Sequence, residues 1–362
     1  MTTLAYKPTL DEVLPRLRLL YERRAEDCIF AVMQTPSPAL VDFQSRYREG
    51  YCEYPDLLER IAFWDRFLTE RASIEDDSVP SAYLSELDQG LYGGLLGGGV
   101  QFMAHPESGW ISSMVKPILS DWSGLDRLRF DPGHPWFRRY LDQLDVFSRA
   151  AAGKFGLSHF ICINGLNLVF ELVGATRTYL SLYDHPAEVR RAIELAYELN
   201  VAVQAAFFER TAAPDGGTAS TMVQWIPGRV VSESVDPFHM TSVQCLEEWG
   251  RGPVERIFAR FDGGVLHVHA NGRHLLETVA GFKGLKAVFL GDDRGFPKAF
   301  DVLDQLQEKT GGLPLVVDAG FERFVDRLDR HKLPGGVLYR VGGVPDSDTA
   351  NRLMERVREY CA

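Results

Sequence analysis

The chain reads as short apolar runs, each ending in polar residues, separated by stretches of helical period. Leu10, Val13, Leu14, Leu17 and Leu20 fall three and four apart with Arg and Glu between them, so residues 10–27 predict an amphipathic helix. Residues 28–34 (CIFAVMQ) predict a buried strand, closed by Thr35-Pro36-Ser37-Pro38. Seven further runs predict strands: 159–165 (HFICING), 219–225 (ASTMVQW), 229–233 (RVVSE), 264–270 (GVLHVHA), 285–291 (LKAVFLG), 313–319 (LPLVVDA) and 336–342 (GVLYRVG). Most are continuously apolar rather than alternating, as expected of parallel strands covered on both faces. From Gly264 onward, helical segments at 297–310, 321–331 and 346–360 alternate with them. Earlier, residues 186–210 predict one long helix with Pro186 in its first turn.

Strand–helix alternation fits a parallel barrel or a doubly wound sheet, and the count of eight predicts the (β/α)8 TIM barrel, here with an N-terminal helical extension. Residues 36–158 hold helices and a Gly-rich stretch, 90–117, expected to be an irregular insertion before the regular barrel. No repeat, linker or low-complexity tract breaks the chain. A single domain is therefore expected over 1–362, with about 1–150 carrying the extension and first strand and 151–362 the main barrel.

Composition narrows the class. The 362 residues are 45% hydrophobic, enough to bury one large core. The net charge is −11 and no Lys/Arg-rich run occurs, which argues against a nucleic-acid partner. Five cysteines, an odd count without a CxxC pair, make a disulfide framework improbable and point to a reducing compartment, hence the cytoplasm. The start lacks the order of a signal peptide, and no apolar stretch approaches the roughly 20 residues of a membrane span.

In a barrel, reactive groups sit at the carboxyl ends of the strands. Those ends carry Gln34, Asn164, Trp225, Glu233, His269, Asp292, Asp318 and Arg340. The sharpest feature is His267-x-His269. Residues i and i+2 of a strand face one side, so both imidazoles can share one ion. Imidazole suits zinc, and a catalytic zinc has three protein ligands and one open position. A third ligand could be His239, Asp236 or Glu233, all within the donor-rich segment 232–239. The pair could equally hydrogen-bond inside the barrel or bind an anion without metal. Asp292-Asp293-Arg294 reads either as a general base or acidic contact, or as a helix cap and salt-bridge cluster, and Asp318 reads similarly. Cys162 is expected to be a packed core thiol, Gly97-Gly98-Gly99 a turn, and His105, His134 and His185 ordinary surface residues.

Several segments, in order, resemble the uroporphyrinogen decarboxylase superfamily, which also contains zinc-dependent methyltransferases acting on methylated corrinoid proteins. They are Asp76-Asp77-Ser78-Val79-Pro80 with residues 90–97, the Pro117-Ile118 to Asp121-Trp122 element, the helix start at 182–189, the strand Leu266-His267-Val268-His269-Ala270-Asn271-Gly272, and the last strand with Arg340 at 335–343. The resemblance covers most of the chain and implies an eight-stranded α/β barrel. The corrinoid-linked enzymes hold zinc with His-x-Cys and a later Cys. Here the first Cys position is His269 and the later one is Gly343, so His239 is the candidate replacement ligand. The true decarboxylases use an Arg-rich N-terminal segment, whereas this chain has no Arg between Met33 and Arg46, which argues against haem biosynthesis.

The first expectation is thus a zinc-dependent methyltransferase or demethylase with His239, His267 and His269 on the metal. Asp236, Glu233 and Asp318 would be catalytic, and Gln34, Asn164, Trp225, Asp292 and Arg340 would bind substrate. The donor would be a methylated corrinoid protein or a small methylated compound, with a small-molecule substrate and a homodimer allowed. The alternatives are a metal-free decarboxylase or lyase of a carboxylated small molecule, and a binder of a small molecule or corrinoid protein without catalysis.

Overall fold

A computed structural model describes residues 4–362. Eight strands run parallel. They are β1 (Ile29–Gln34), β2 (Ser81–Tyr83), β3 (Gly156–Ser158), β4 (Val231–Ser234), β5 (Gly264–Val268), β6 (Leu285–Leu290), β7 (Leu315–Gly320) and β8 (Val337–Gly342). Six of them form one sheet in the order β1-β8-β7-β6-β5-β4, and β2 pairs with β3 separately. One hydrogen bond links the segment before β2 to β1, from Asp77 N to Ala31 O at 2.9 Å. Another links the segment after β3 to β4, from Cys162 N to Ser232 O at 2.8 Å. The fold is mixed α/β, with helices between successive strands. Among the described residues no helix is long and apolar enough to cross a membrane.

The number of parallel strands matches expectation, but their membership differs. The expected strand 219–225 is instead an antiparallel hairpin, Gly217–Ser220 with Gln224–Pro227. Its apolar side chains Val223, Trp225 and Ile226 pack with Val13, Leu17 and Leu20 of the helix Leu10–Tyr21. Packing against that helix, rather than a parallel neighbour, takes up the apolar surface. The missing strand is β2, whose three residues after Pro80 are too short to leave a pattern. Only 156–158 of the region around the expected strand 159–165 forms a ladder. The Gly-rich stretch is also ordered: a helix, Gln89–Leu95, packs on the strands Val100–His105 and Trp110–Val115. Its glycines permit that contact, since a Cβ on Gly93 would come within 2.2 Å of Val115.

The sheet separates two apolar layers by simple alternation. Phe30, Val32, Val265, Ala287, Val316 and Leu338 face the layer stoppered by the N-terminal helix and the hairpin. Ile29, Ala31, Leu266, Val288, Val317 and Val341 face the larger core under the outer helices. Register keeps the parity across strands: Phe30 pairs with Leu338, Val316 with Leu338, and Val265 with Ala287.

β1 has a ladder with β8 on one edge only, and two carboxylates serve its other edge. Asp76 Oδ2 accepts from Met33 N at 2.8 Å and Asp77 Oδ2 from Ala31 N at 2.9 Å. Lys7 Nζ, fully buried, donates to Asp76 Oδ1 at 2.9 Å and to the Ile74 and Asp76 carbonyls. Burial alone would raise the Asp76 carboxyl, but Lys7, Arg71 and the hydrogen bonds from Ser78 and Met33 outweigh it and bring it down to about 2. A depressed carboxyl contributes stability that is complete above its unfolded value near 4 and is lost as pH falls toward 2. Removing one member of a buried pair costs about 3–5 kcal/mol. Asp76→Asn is therefore expected to lose on the order of 3 kcal/mol at pH 7 in urea unfolding. The variant should also show a flatter stability profile than the parent between about pH 4 and pH 2. Equal stability at pH 7 would contradict this role of the Asp76 carboxylate.

Candidate functional site

The face of the sheet that carries Val32 and Leu338 turns polar toward the strands' carboxyl ends. Gln34, His267, Asp318 and Arg340 lie on it, each two residues beyond an apolar member of the inner layer. A cavity of about 550 Å³ opens there, lined by Gln34, His267, Phe289 and Arg340 from the sheet and by Trp64, Phe67, Tyr83 and Trp110 from the chain before residue 111.

Beside the cavity the two histidines converge as their spacing predicts, with ring centres 4.3 Å apart. Asp236, in the turn after β4, completes a trio: one donor atom each from Asp236, His267 and His269 lies within 4.8 Å of the others. His269 Nδ1 is 2.9 Å from Asp293 Oδ1, which leaves Nε2 as its free ring nitrogen. His267 stacks on Phe289 at 5.1 Å and makes no hydrogen bond to a described residue. Gly291 is required here, because a Cβ would sit 2.6 Å from His267 Nε2. His239 is adjacent, its ring 5.5 Å from that of His269. Its buried Nε2 has no hydrogen-bond partner and lies 3.7 Å from Asp236 Oδ1.

The electrostatics keep the His267 and His239 imidazoles neutral. Burial, and then the nearness of His269, His239 and Arg340, hold His267 down to about 3. Burial and His269 hold His239 down to about 4. Neutral imidazole is the form that binds a metal. Asp236 sits in a recess with 42% of its side chain still exposed, and burial there raises its carboxyl against the opposing pull of His269. Burial would raise Asp293 too, but its contacts with His269 and the Asn271 and Ala270 amides bring it below the ordinary range.

Other residues singled out from sequence fall elsewhere. Glu233 pairs in register with Leu266, so it points away from the site into the packed layer, with Asn164 beside it. Asn164 is buried and donates to Pro253 O. Trp225 is fully buried in the hairpin and donates to Pro214 O at 2.7 Å. Asp292 accepts from Arg273 and from Ala299 N, a structural cap, and its neighbour Asp293 is the one that meets His269. Asp318 pairs with Arg340 at 3.2 Å. Cys162 is a fully buried thiol whose pKa burial pushes up. Asp293 carried a usable signal, three residues past the end of β6, a strand neighbouring β5. The aromatic wall as a whole carried none, since Trp64 and Phe67 share the helix Leu57–Thr69 while Tyr83 and Trp110 come from two other stretches.

A parallel α/β protein with a histidine–carboxylate cluster beside a large cavity is what fold and site together define. No family model matches the chain, and no curated protein matches it in sequence. Among solved structures it is similar to a methyltransferase from Methanosarcina mazei, with a TM-score of 0.62 over 98% of this chain and 99% of that one. The identity is 12%, so the likeness is one of fold.

Burial raises the Glu233 carboxyl well above its ordinary range, so its neutral form belongs to the folded state. That contribution is complete below the unfolded value and fades as pH rises through the raised one. Glu233→Gln, a neutral isostere, is expected to stay within about 1 kcal/mol of the parent in mild acid. It should gain relative to the parent as pH rises, read by urea unfolding at several pH values. A variant that falls behind with rising pH would contradict this placement.

Proposed function

We propose that the chain is a zinc-dependent methyltransferase or demethylase, a divergent member of the uroporphyrinogen decarboxylase superfamily built on a closed (β/α)8 barrel. Closure is supported by the Asp77–Ala31 and Cys162–Ser232 hydrogen bonds, which bridge the two gaps between the six-stranded sheet and the β2–β3 pair. The observation that carries the functional reading is the convergence of Asp236, His267 and His269. The donor set fits a metal: two imidazoles, one carboxylate, and a carboxylate behind one imidazole. His239, with its orphaned buried Nε2, is next in line for a remaining place.

Zinc held by two imidazoles and a carboxylate would keep more positive charge than zinc held by thiolates, and would supply Lewis-acid chemistry at an open position. The rest is the work of the chain. Asp293 fixes the tautomer and orientation of His269. Phe289 holds His267 by stacking, and Gly291 leaves it room. The cavity shares His267 with the cluster and so brings a bound small molecule against it. The methyl donor would be a methylated corrinoid protein or a small methylated compound, and the setting the cytoplasm.

Metal analysis tests this directly. Purified protein is expected to carry about one equivalent of zinc, lost in both His267→Ala and His269→Ala. Asp293→Asn should weaken zinc affinity by about 10–100-fold. Negligible zinc in the purified protein, with turnover unaffected by a chelator, would overturn the proposal in favour of metal-free acid–base chemistry at the same histidines.

A further inference from the structure

The cavity contains one cation whose hydrogen-bonding capacity is unspent. Of its two arginines, Arg71 is committed to the scaffold: it donates to Met33 O at 2.7 Å and to Asp76 Oδ2 at 3.1 Å. Arg340 donates no hydrogen bond to any described residue. Its Nε edge lies 3.2 Å from Asp318 Oδ1, and its guanidinium carbon is 4.7 Å from the centre of the Phe289 ring. One edge is therefore steadied by charge and one face by stacking, while the terminal pair of nitrogens remains available. That pair is a planar fork matched to a carboxylate. No lysine lines the cavity; of its two glutamates, Glu70 is occupied with Ser37 Oγ and Ala39 N, and Glu107 is exposed to solvent.

The walls have a second character. Tyr83 and Trp110 pack with ring centres 4.8 Å apart, and Trp64 and Phe67 at 5.8 Å. All four rings line the same cavity as Arg340. Flat rings favour a flat apolar ligand, since offset and edge contacts add to burial. The protein as a whole carries −11 and repels anions at long range, so recognition of an acid here depends on a local cation.

We propose that the cavity takes an aromatic monocarboxylate, its carboxylate held by the fork of Arg340 and its ring among Trp64, Phe67, Tyr83 and Trp110. Its catalytic meaning rests on the proposed metal site, because His267 belongs to both; its binding does not. Calorimetric titration at pH 7.5 with 2-naphthoate, its neutral isostere 2-naphthamide and the aliphatic acid octanoate tests it. Naphthoate is expected to bind at least about tenfold more tightly than either. Arg340→Gln should lose at least about tenfold on naphthoate and leave naphthamide unchanged. Equal binding of acid and amide by the parent, which needs no variant, would overturn the carboxylate assignment, and equal binding of octanoate the aromatic one. No naphthoate binding would overturn both. Zinc content measured on the same samples separates the two proposals. Naphthoate binding without zinc defeats only the metal reading, and zinc without naphthoate binding defeats only this one.

Discussion

The structure depends on how β1 is held along the edge that faces β2. A parallel strand with only one ladder leaves amide groups that must find acceptors. Here the acceptors are side chains: Asp76 takes Met33 N and Asp77 takes Ala31 N. The arrangement needs two buried charges, and each is compensated. Lys7 and Arg71 reach Asp76, and Arg16 reaches Asp77 at 2.8 Å. Lys7 and Arg16 come from the N-terminal segment, so the same contacts that hold β1 also seat the helix Leu10–Tyr21 under the sheet. Gln34, the last residue of that strand, reaches the cavity.

Above this base, function follows from parity. Val265 faces the inner layer, so His267 must as well, and the next position on that side is His269. The same rule sends Arg340 inward beyond Leu338 and Asp318 inward beyond Val316. It sends Glu233 outward with Leu266. One polar rim thus forms from strands far apart in sequence, while an equally polar residue at a strand end serves only packing. Around that rim the electrostatics are divided. His267 and His239 are kept neutral chiefly by burial, whereas Arg340 keeps a carboxylate partner and an open fork. The two arrangements suit different ligands, a cation and an anion, and His267 and Phe289 stand between them.

Much of this was legible along the chain. Continuous apolar runs located β1 and β4 through β8, because a strand covered on both faces has a pattern that survives without its neighbours. The i, i+2 histidines were legible for the same local reason. The short strands were not. Ser81–Tyr83 has three residues, and its pairing with Gly156–Ser158 rests on a contact between distant segments. The hairpin at 217–227 looked like a barrel strand because its apolar content is real; the N-terminal helix that covers it decided what it became.

The sequence by itself determined the class of fold, the long helix Pro186–Arg210 and the facing of His267 and His269, since each is set by local period and composition. Only the tertiary structure decided which carboxylates meet those histidines. Asp236 and Asp293 do, while Glu233 and Asp292 do not. Each of the last two lies within three residues of a partner that succeeds. What separates them is strand register and the turn geometry after each strand, quantities fixed by the packing of the whole sheet. The cavity wall is the extreme case: Trp64 and Phe67 share one helix, but only the packing of that helix with the distant segments of Tyr83 and Trp110 brings all four rings beside Arg340.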